Sequence, residues 1–134
     1  MKEARFAAII LAAGEGTRLN SATPKVMHQI AGLPMIRYLI EALHPLGPAE
    51  TVVVLGPGME RVADAVAPAK IAVQSPPRGT GDAVRAAGPA LAGRLAKDDI
   101  SDVIVLFGDT PLLRPDTIGE LLAARRRAPA AAIA

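Results

Sequence analysis

The chain has 134 residues, enough for one modest domain with its own core and too few for two ordinary ones. With 51% of residues hydrophobic and only 2% aromatic, that core must be aliphatic, and aromatic platforms for stacking single-stranded nucleic acid are excluded. Fifteen basic against thirteen acidic residues leave a net charge of +2, which points to neither a nucleic-acid nor a membrane surface, and the lack of cysteine excludes disulfides and thiolate metal sites.

The first predicted strand is Arg5 to Ala12. Charges of both signs precede it, and its seven apolar residues are too few for a secretory signal or a membrane span, so a cytoplasmic protein is expected. The strand runs into LAAGEGTRLNSATPK, Leu11 to Lys25, where Gly14 and Gly16 permit a tight loop that can turn its amide N–H groups on an anion. Pro24 marks an extended approach to Lys25, Val26 to Ile30 is ambiguous, and Pro34 suits a first helical position. Met35, Ile36, Leu39, Ile40 and Leu43 then recur at helical spacing until Pro45 and Gly47.

Thr51 to Leu55 is the second strand, and its β-branched run without alternation reads as buried on both faces, as parallel strands are. A short helix over Met59 to Ala67 and a short strand over Ile71 to Gln74 follow. Ser75 to Gly81 is an irregular loop, and a helix continues through Ala83, Val84, Ala87 and Leu91, with Asp82 near its N-terminus where negative charge is favoured. Asp102 to Phe107 is the fourth strand. Asp116 to Arg127 closes the pattern as a helix whose last-turn arginines read as a solvated terminus.

Strands alternating with helices at this spacing predict an α/β protein with a Rossmann-like parallel sheet and flanking helices. In such a sheet the loops at the carboxyl ends of the strands gather on one edge and form the ligand crevice. Gly14 to Lys25, Gln74 to Gly81 and Gly108-Asp109 lie after strands one, three and four. Their convergence is the main argument for a site.

Each signal has a plain alternative. The glycine loop lacks the third glycine of a dinucleotide fingerprint and the Lys-Ser/Thr of a Walker A loop; Arg18 and Lys25 are what turn it from a steric turn into a phosphate-handling stretch. Asp109 can hold Mg²⁺ through one or two oxygens while phosphates and water complete the octahedron, or it can cap the following Thr-Pro turn. Gln74 can read a pyrimidine edge or satisfy loop backbone, and Thr80, between Gly79 and Gly81, can bring main chain against a base or start a helix. His28 and His44 read as residues without chemistry, and no Ser/His/Asp set occurs.

Leu11-Ala12-Ala13-Gly14-Glu15-Gly16-Thr17-Arg18 followed by Pro24-Lys25 resembles the signature of nucleotidyltransferases that make nucleotide sugars from a nucleoside triphosphate and a sugar 1-phosphate. Val26-Met27-His28 and Ala31-Gly32-Leu33-Pro34-Met35 narrow the likeness to the uridyltransferase half of the bacterial bifunctional UDP-N-acetylglucosamine pyrophosphorylase/glucosamine-1-phosphate acetyltransferases. The resemblance implies a nucleotide-diphospho-sugar transferase fold, UTP and N-acetylglucosamine 1-phosphate as substrates, Mg²⁺ as cofactor, and a role in cell-wall precursor synthesis. It implies that Leu11, Ala12, Ala13, Gly14 and Gly16 line the nucleotide, with Arg18 and Lys25 on the phosphates. Gln74, Gly79 and Thr80 would contact uracil, and Phe107, Gly108 and Asp109 would form the metal-binding segment, with Asp109 as ligand.

Two positions depart from the family pattern: Pro77 stands where a second glutamine is common, and Phe107 replaces a frequent tyrosine. The resemblance further implies that residues 1–134 are the N-terminal nucleotide-binding part, with the sugar-binding half and any β-helix domain, through which a full-length parent would form a homotrimer, lying beyond Ala134. Other readings are a cytidylyl- or molybdopterin nucleotidyltransferase of the same fold, or a non-catalytic nucleotide-binding module.

Overall fold

A computed structural model describes residues 5–14 and 23–128. Four strands, β1 (Phe6–Leu11), β4 (Glu50–Leu55), β5 (Lys70–Val73) and β6 (Asp102–Phe107), form one parallel sheet in the order β5-β4-β1-β6. In chain order this is 3-2-1-4, so the direction of winding reverses between β1 and β6. The carboxyl ends of those two strands lie side by side at the reversal, the place where open α/β sheets bind ligands. A two-stranded antiparallel ribbon, β2 (Gln29–Ile30) and β3 (Leu33–Pro34), lies between β1 and the first helix.

Alternation along the strands divides the core into two layers. Phe6, Ala8 and Ile10 of β1, Val53 and Leu55 of β4, and Ile104 and Leu106 of β6 share one layer with α1 (Met35–Leu43), α2 (Glu60–Val66) and α4 (Pro115–Arg127). Ala7, Ile9, Val52, Val54 and Ala72 face the other way, against α3 (Thr80–Ala96). The buried stripe of α3 is Ala83, Ala87 and Leu91; its small residues let the helix lie close over the β-branched valines of β4.

The expected two-sided burial holds for Val52 to Leu55. It does not extend to β6, where alternate residues are exposed: α3 lies across β5, β4 and β1, leaving Val103, Val105 and Phe107 uncovered.

Several boundaries differ from the sequence reading, each for a local reason. Pro34 is the last residue of β3 and the N-cap of α1, not its first turn, because Met35 N already donates to His28 O. The ambiguous Val26 to Ile30 resolves into a 3₁₀ turn over Lys25–Met27 and then β2. The third strand begins at Lys70 and ends at Val73, so Gln74 is the first residue past it. The arginines ending α4 are not merely solvated: Arg126 Nε donates to Oδ2 of the buried Asp102 at 3.2 Å.

Ion pairs collect on the amino edge of the sheet, opposite the crevice. Glu50 at the start of β4 receives Lys70 at 3.0 Å and Arg94 at 3.2 Å, and Asp99 joins Arg94 to Arg5 at 2.7 and 2.8 Å. Burial of Glu50 works against its charge, yet hydrogen bonds and positive charge from Lys70 and Arg94 win and hold its carboxyl below the usual range. Asp99 is lowered mainly by its hydrogen bond from Arg94. These ion pairs tie β4, β5, α3 and the chain at Arg5 together at the amino edge.

Candidate nucleotide-binding site

At the carboxyl edge, β1 continues one residue beyond its last ladder pair, since Ala12 N donates to Val54 O at 2.9 Å. Ala12 is buried, Leu11 and Ala13 are half-buried, and Gly14 is exposed, so the chain rises out of the sheet over these four residues. Gly16 and Arg18 lie outside the described residues.

The chain is next described at Thr23, and Pro24 (φ −52°, ψ 140°) leads into the 3₁₀ turn. Met27 N donates to Pro24 O at 2.9 Å, which closes the turn, and the buried Val26 side chain plugs it into the α1 layer. With Val26 held inward, the neighbouring Lys25 is left at the surface. Its Nζ lies 2.7 Å from Asp109 Oδ2.

Asp109 owes its position to Gly108. Gly108 N donates to Leu11 O at 2.9 Å, extending the β6–β1 ladder by one step. A Cβ on Gly108 would meet Val26 Cγ1 at 2.9 Å, Leu11 O at 3.1 Å and Ala12 Cβ at 3.3 Å. Only glycine lets β6 come this close to both the end of β1 and the Lys25 turn. The turn itself is closed by Thr110, whose N and Oγ1 donate to Phe107 O at 3.2 and 2.7 Å. Threonine supplies the cap that the sequence left open to Asp109, and the aspartate faces the lysine.

The Lys25–Asp109 pair therefore bridges β1 and β6 across the point where winding reverses. The two side chains are 41% and 38% exposed. A pair this open contributes at most about 1 kcal/mol, so either partner can exchange the other for a ligand charge at little cost. Among the described residues no three His, Asp or Glu side chains gather into a metal cage. A single carboxylate does suit Mg²⁺, which keeps several waters and takes the rest of its octahedron from phosphate oxygens.

Gln74 stands at the far side of the same edge. Its N donates to Leu55 O at 2.8 Å, and its side chain is buried, 5% exposed. Nε2 donates to Gly79 O at 3.1 Å and to Asp82 Oδ2 at 3.0 Å. The loop-satisfying role is thus real, and it occupies the amide nitrogen alone. Gly79 (φ 94°, ψ 176°) takes a backbone conformation that side chains disfavour and N-caps α3, whose first residue, Thr80, is exposed.

With β5 three strand spacings from β6, Gln74 and Asp109 are separated by roughly 14 Å along the edge. An extended ligand, rather than a single ion, spans such a distance.

Phe107 ends β6 beside Leu11, 50% exposed on the α3 side of the sheet, away from the Lys25 turn. His28 is half-buried, and its Nε2 is buried without a hydrogen-bond partner. Asp82 is the contact the sequence reading missed. A carboxylate in the first turn of a helix read as a dipole effect, and only the eight-residue separation from Gln74 across Gly79-Thr80-Gly81 hinted at pairing.

A 3-2-1-4 parallel sheet with its charged pair at the reversal defines an α/β protein of the nucleotide-diphospho-sugar transferase type. The chain belongs to the MobA-like NTP transferase domain family, which it matches over residues 8–134. It is 51% identical to the Bifunctional protein GlmU of Rhodospirillum rubrum over 121 residues, which make up 90% of this chain and 26% of that protein. The chain thus spans about a quarter of the length of the curated relatives it matches.

Among solved structures it resembles Rv0371c of Mycobacterium tuberculosis, with a TM-score of 0.72 and 20% identity over 92% of this chain and 62% of that one. The same protein in complex with manganese aligns at a TM-score of 0.63 and 18% identity, over 90% and 59%. CMP:2-keto-3-deoxy-manno-octonic acid synthetase complexed with CTP aligns at 0.65 and 29% identity, over 95% and 49%. Among the described residues no helix is long and apolar enough to cross a membrane.

Proposed function

We propose that this chain supplies the nucleotide-binding part of a uridyltransferase that moves UMP from UTP to N-acetylglucosamine 1-phosphate, releasing pyrophosphate and giving UDP-N-acetylglucosamine. The observation that carries the reading is the 2.7 Å Lys25–Asp109 pair at the sheet's reversal point. The 51% identity to a GlmU protein supports the choice of substrates. The sugar-binding half, and any acetyltransferase domain, would belong to a longer parent, a reading supported by the quarter of its relatives that the chain spans and by the uncovered face of β6. Such an enzyme would work in the cytoplasm.

Two polyanions must meet, so the chemistry needs positioning and charge neutralisation rather than a covalent intermediate. The nucleophile, a sugar 1-phosphate oxygen, attacks the α-phosphorus in line with the departing pyrophosphate. Lys25 would leave Asp109 for the phosphates, joined by Arg18, and Leu11 to Gly14 would line the nucleotide. Asp109, released from the lysine, would hold Mg²⁺; the ion, when bound, offsets phosphate charge. A divalent ion as cofactor is in keeping with a fold relative solved in complex with manganese. Gln74, Gly79 and Thr80 would meet the uracil.

The test is UTP binding by calorimetry with Mg²⁺, and pyrophosphate release in a chain carrying the rest of the domain, for wild type and Lys25→Ala. Losing one such cation lowers turnover on the order of a hundredfold or more. Turnover within a few fold of wild type in Lys25→Ala removes the lysine from the mechanism.

A further inference from the structure

We propose that Asp82 is a positioning residue that locks the Gln74 side-chain amide in one orientation and thereby sets which base the site accepts. The inference rests on the nucleotide-binding reading given above and deepens it. Gln74 is the residue at the edge whose side chain is both buried and polar, and its two recorded side-chain hydrogen bonds leave from Nε2.

An amide normally can turn over, exchanging its oxygen and nitrogen at little cost in shape. Here it cannot. Both partners of Nε2, the Gly79 carbonyl at 3.1 Å and the Asp82 carboxylate at 3.0 Å, are acceptors and nothing else. Turning the amide over would set Oε1 against two oxygens and replace two attractions by two repulsions. The carbonyl alone is a weaker lock, because hydrogen bonds to an ionised group are the stronger kind. Asp82 is therefore the dominant part of the device, and it stands in the first turn of α3, where negative charge is favoured.

The consequence is chemical. Both Nε2 hydrogens are spent within the protein, so Gln74 presents only Oε1, which accepts no bond among the described residues. An acceptor at this place suits the N3–H of uracil, while the uracil O4 beside it suits main-chain N–H groups at the start of α3. Cytosine reverses that edge: its N3 is an acceptor and would face Oε1. A site built around one hydrogen-bond polarity strongly rejects the opposite one, so discrimination between UTP and CTP should be on the order of tenfold or more. Without Asp82 the amide could turn over and serve either base.

The experiment measures UTP and CTP affinity, with Mg²⁺, by calorimetry on the 134-residue chain as wild type, Asp82→Asn and Asp82→Glu, with melting curves to show that each folds. Nitrogen-15 spectra of the Gln74 side-chain NH₂ run alongside without nucleotide. The expected result is a UTP preference in wild type that falls at least fivefold in Asp82→Asn and largely returns in Asp82→Glu. The Gln74 NH₂ protons should exchange faster with water in Asp82→Asn only.

An unchanged UTP-to-CTP ratio in Asp82→Asn overturns the proposal, even if both affinities fall together, because that is what a merely structural role produces. If the wild-type chain binds neither nucleotide, the function proposed above fails on its own. The NH₂ exchange rates then still decide the lock: equal rates in wild type and Asp82→Asn overturn it, and faster exchange in the variant upholds it.

Discussion

Replacing Gly108 by alanine tests whether the crevice is built by close approach of β6 to β1. The added methyl would sit 2.9 Å from Val26 Cγ1 and 3.1 Å from Leu11 O. Carbon contacts are comfortable at about 3.5–4.0 Å, so the first distance is short by roughly 0.6–1 Å. Neither neighbour yields easily. Val26 is buried with a stiff, β-branched side chain, and Leu11 O is main chain already bonded to Gly108 N at 2.9 Å. Overpacking of this kind costs about 1–3 kcal/mol. For a domain of this size each kcal/mol is worth about 4 °C, so a drop of about 8 °C in Tm is expected by circular dichroism. The Gly108→Ala/Val26→Ala double variant should be less destabilised than the sum of the singles by about 1 kcal/mol, because the nearest clash is gone while those with Leu11 O and Ala12 remain. A Gly108→Ala protein melting within about 1 °C of wild type would refute the argument that this glycine sets the spacing of Lys25 and Asp109.

Other consequences follow from the opposite edge. Glu50 and Asp99 have carboxyls held below their ordinary values in the folded state, so the unfolded chain binds protons more tightly than the folded one. Their contribution is complete above the unfolded pKa values, about 4, and is lost as pH falls through the depressed folded ones. Urea unfolding between pH 7 and pH 2.5 should show that loss, and Arg94→Met should flatten it; a parallel curve in the variant would show that the network does not carry the effect. Arg126→Ala leaves the buried Asp102 with the Ser101 hydroxyl at 2.9 Å as its remaining recorded donor, which should cost about 1–2 kcal/mol, read as a Tm lower by about 4–8 °C. No change would mean that Asp102 is served by water.

The four main strands and four helices were legible because each depends on a local period or on a short β-branched run. The convergence of Gln74 and Asp109 on one edge was legible as well, since a parallel sheet sends every strand's carboxyl end the same way. What escaped were pairings set by strand order rather than by strand identity. Nothing in the spacing of Lys25 and Asp109, 84 residues apart, says that β6 lies beside β1 and not beside β5. The exposure of Val103 and Val105 is equally invisible, because an all-apolar strand looks the same whether or not a helix covers its second face. Asp82 stands in the first turn of its helix as its sequence position predicts, and its pairing with Gln74 was not legible because helix position alone accounts for a carboxylate there.

Strand order also explains why a cation and a carboxylate end up neutralising each other here. The carboxyl ends of β1 and β6 are neighbours at the reversal, which brings the Lys25 turn and Asp109 together. A lone Lys25 there would repel any second cation, and a lone Asp109 would repel the polyanion that the loop amides favour. Paired at 2.7 Å and still well exposed, each would mask the other until a ligand brings phosphate and metal together. On the proposed function, phosphate would replace the carboxylate at Nζ and a divalent ion would replace the ammonium at Oδ2, so that each charged group keeps an opposite charge beside it. On this argument, removing Asp109 alone should weaken metal-dependent binding while strengthening binding of metal-free nucleotide, because the lysine is no longer shared. Calorimetry of UTP with Asp109→Ala, with and without Mg²⁺, reads both effects, and a loss of metal-free affinity in that variant would contradict the masking role.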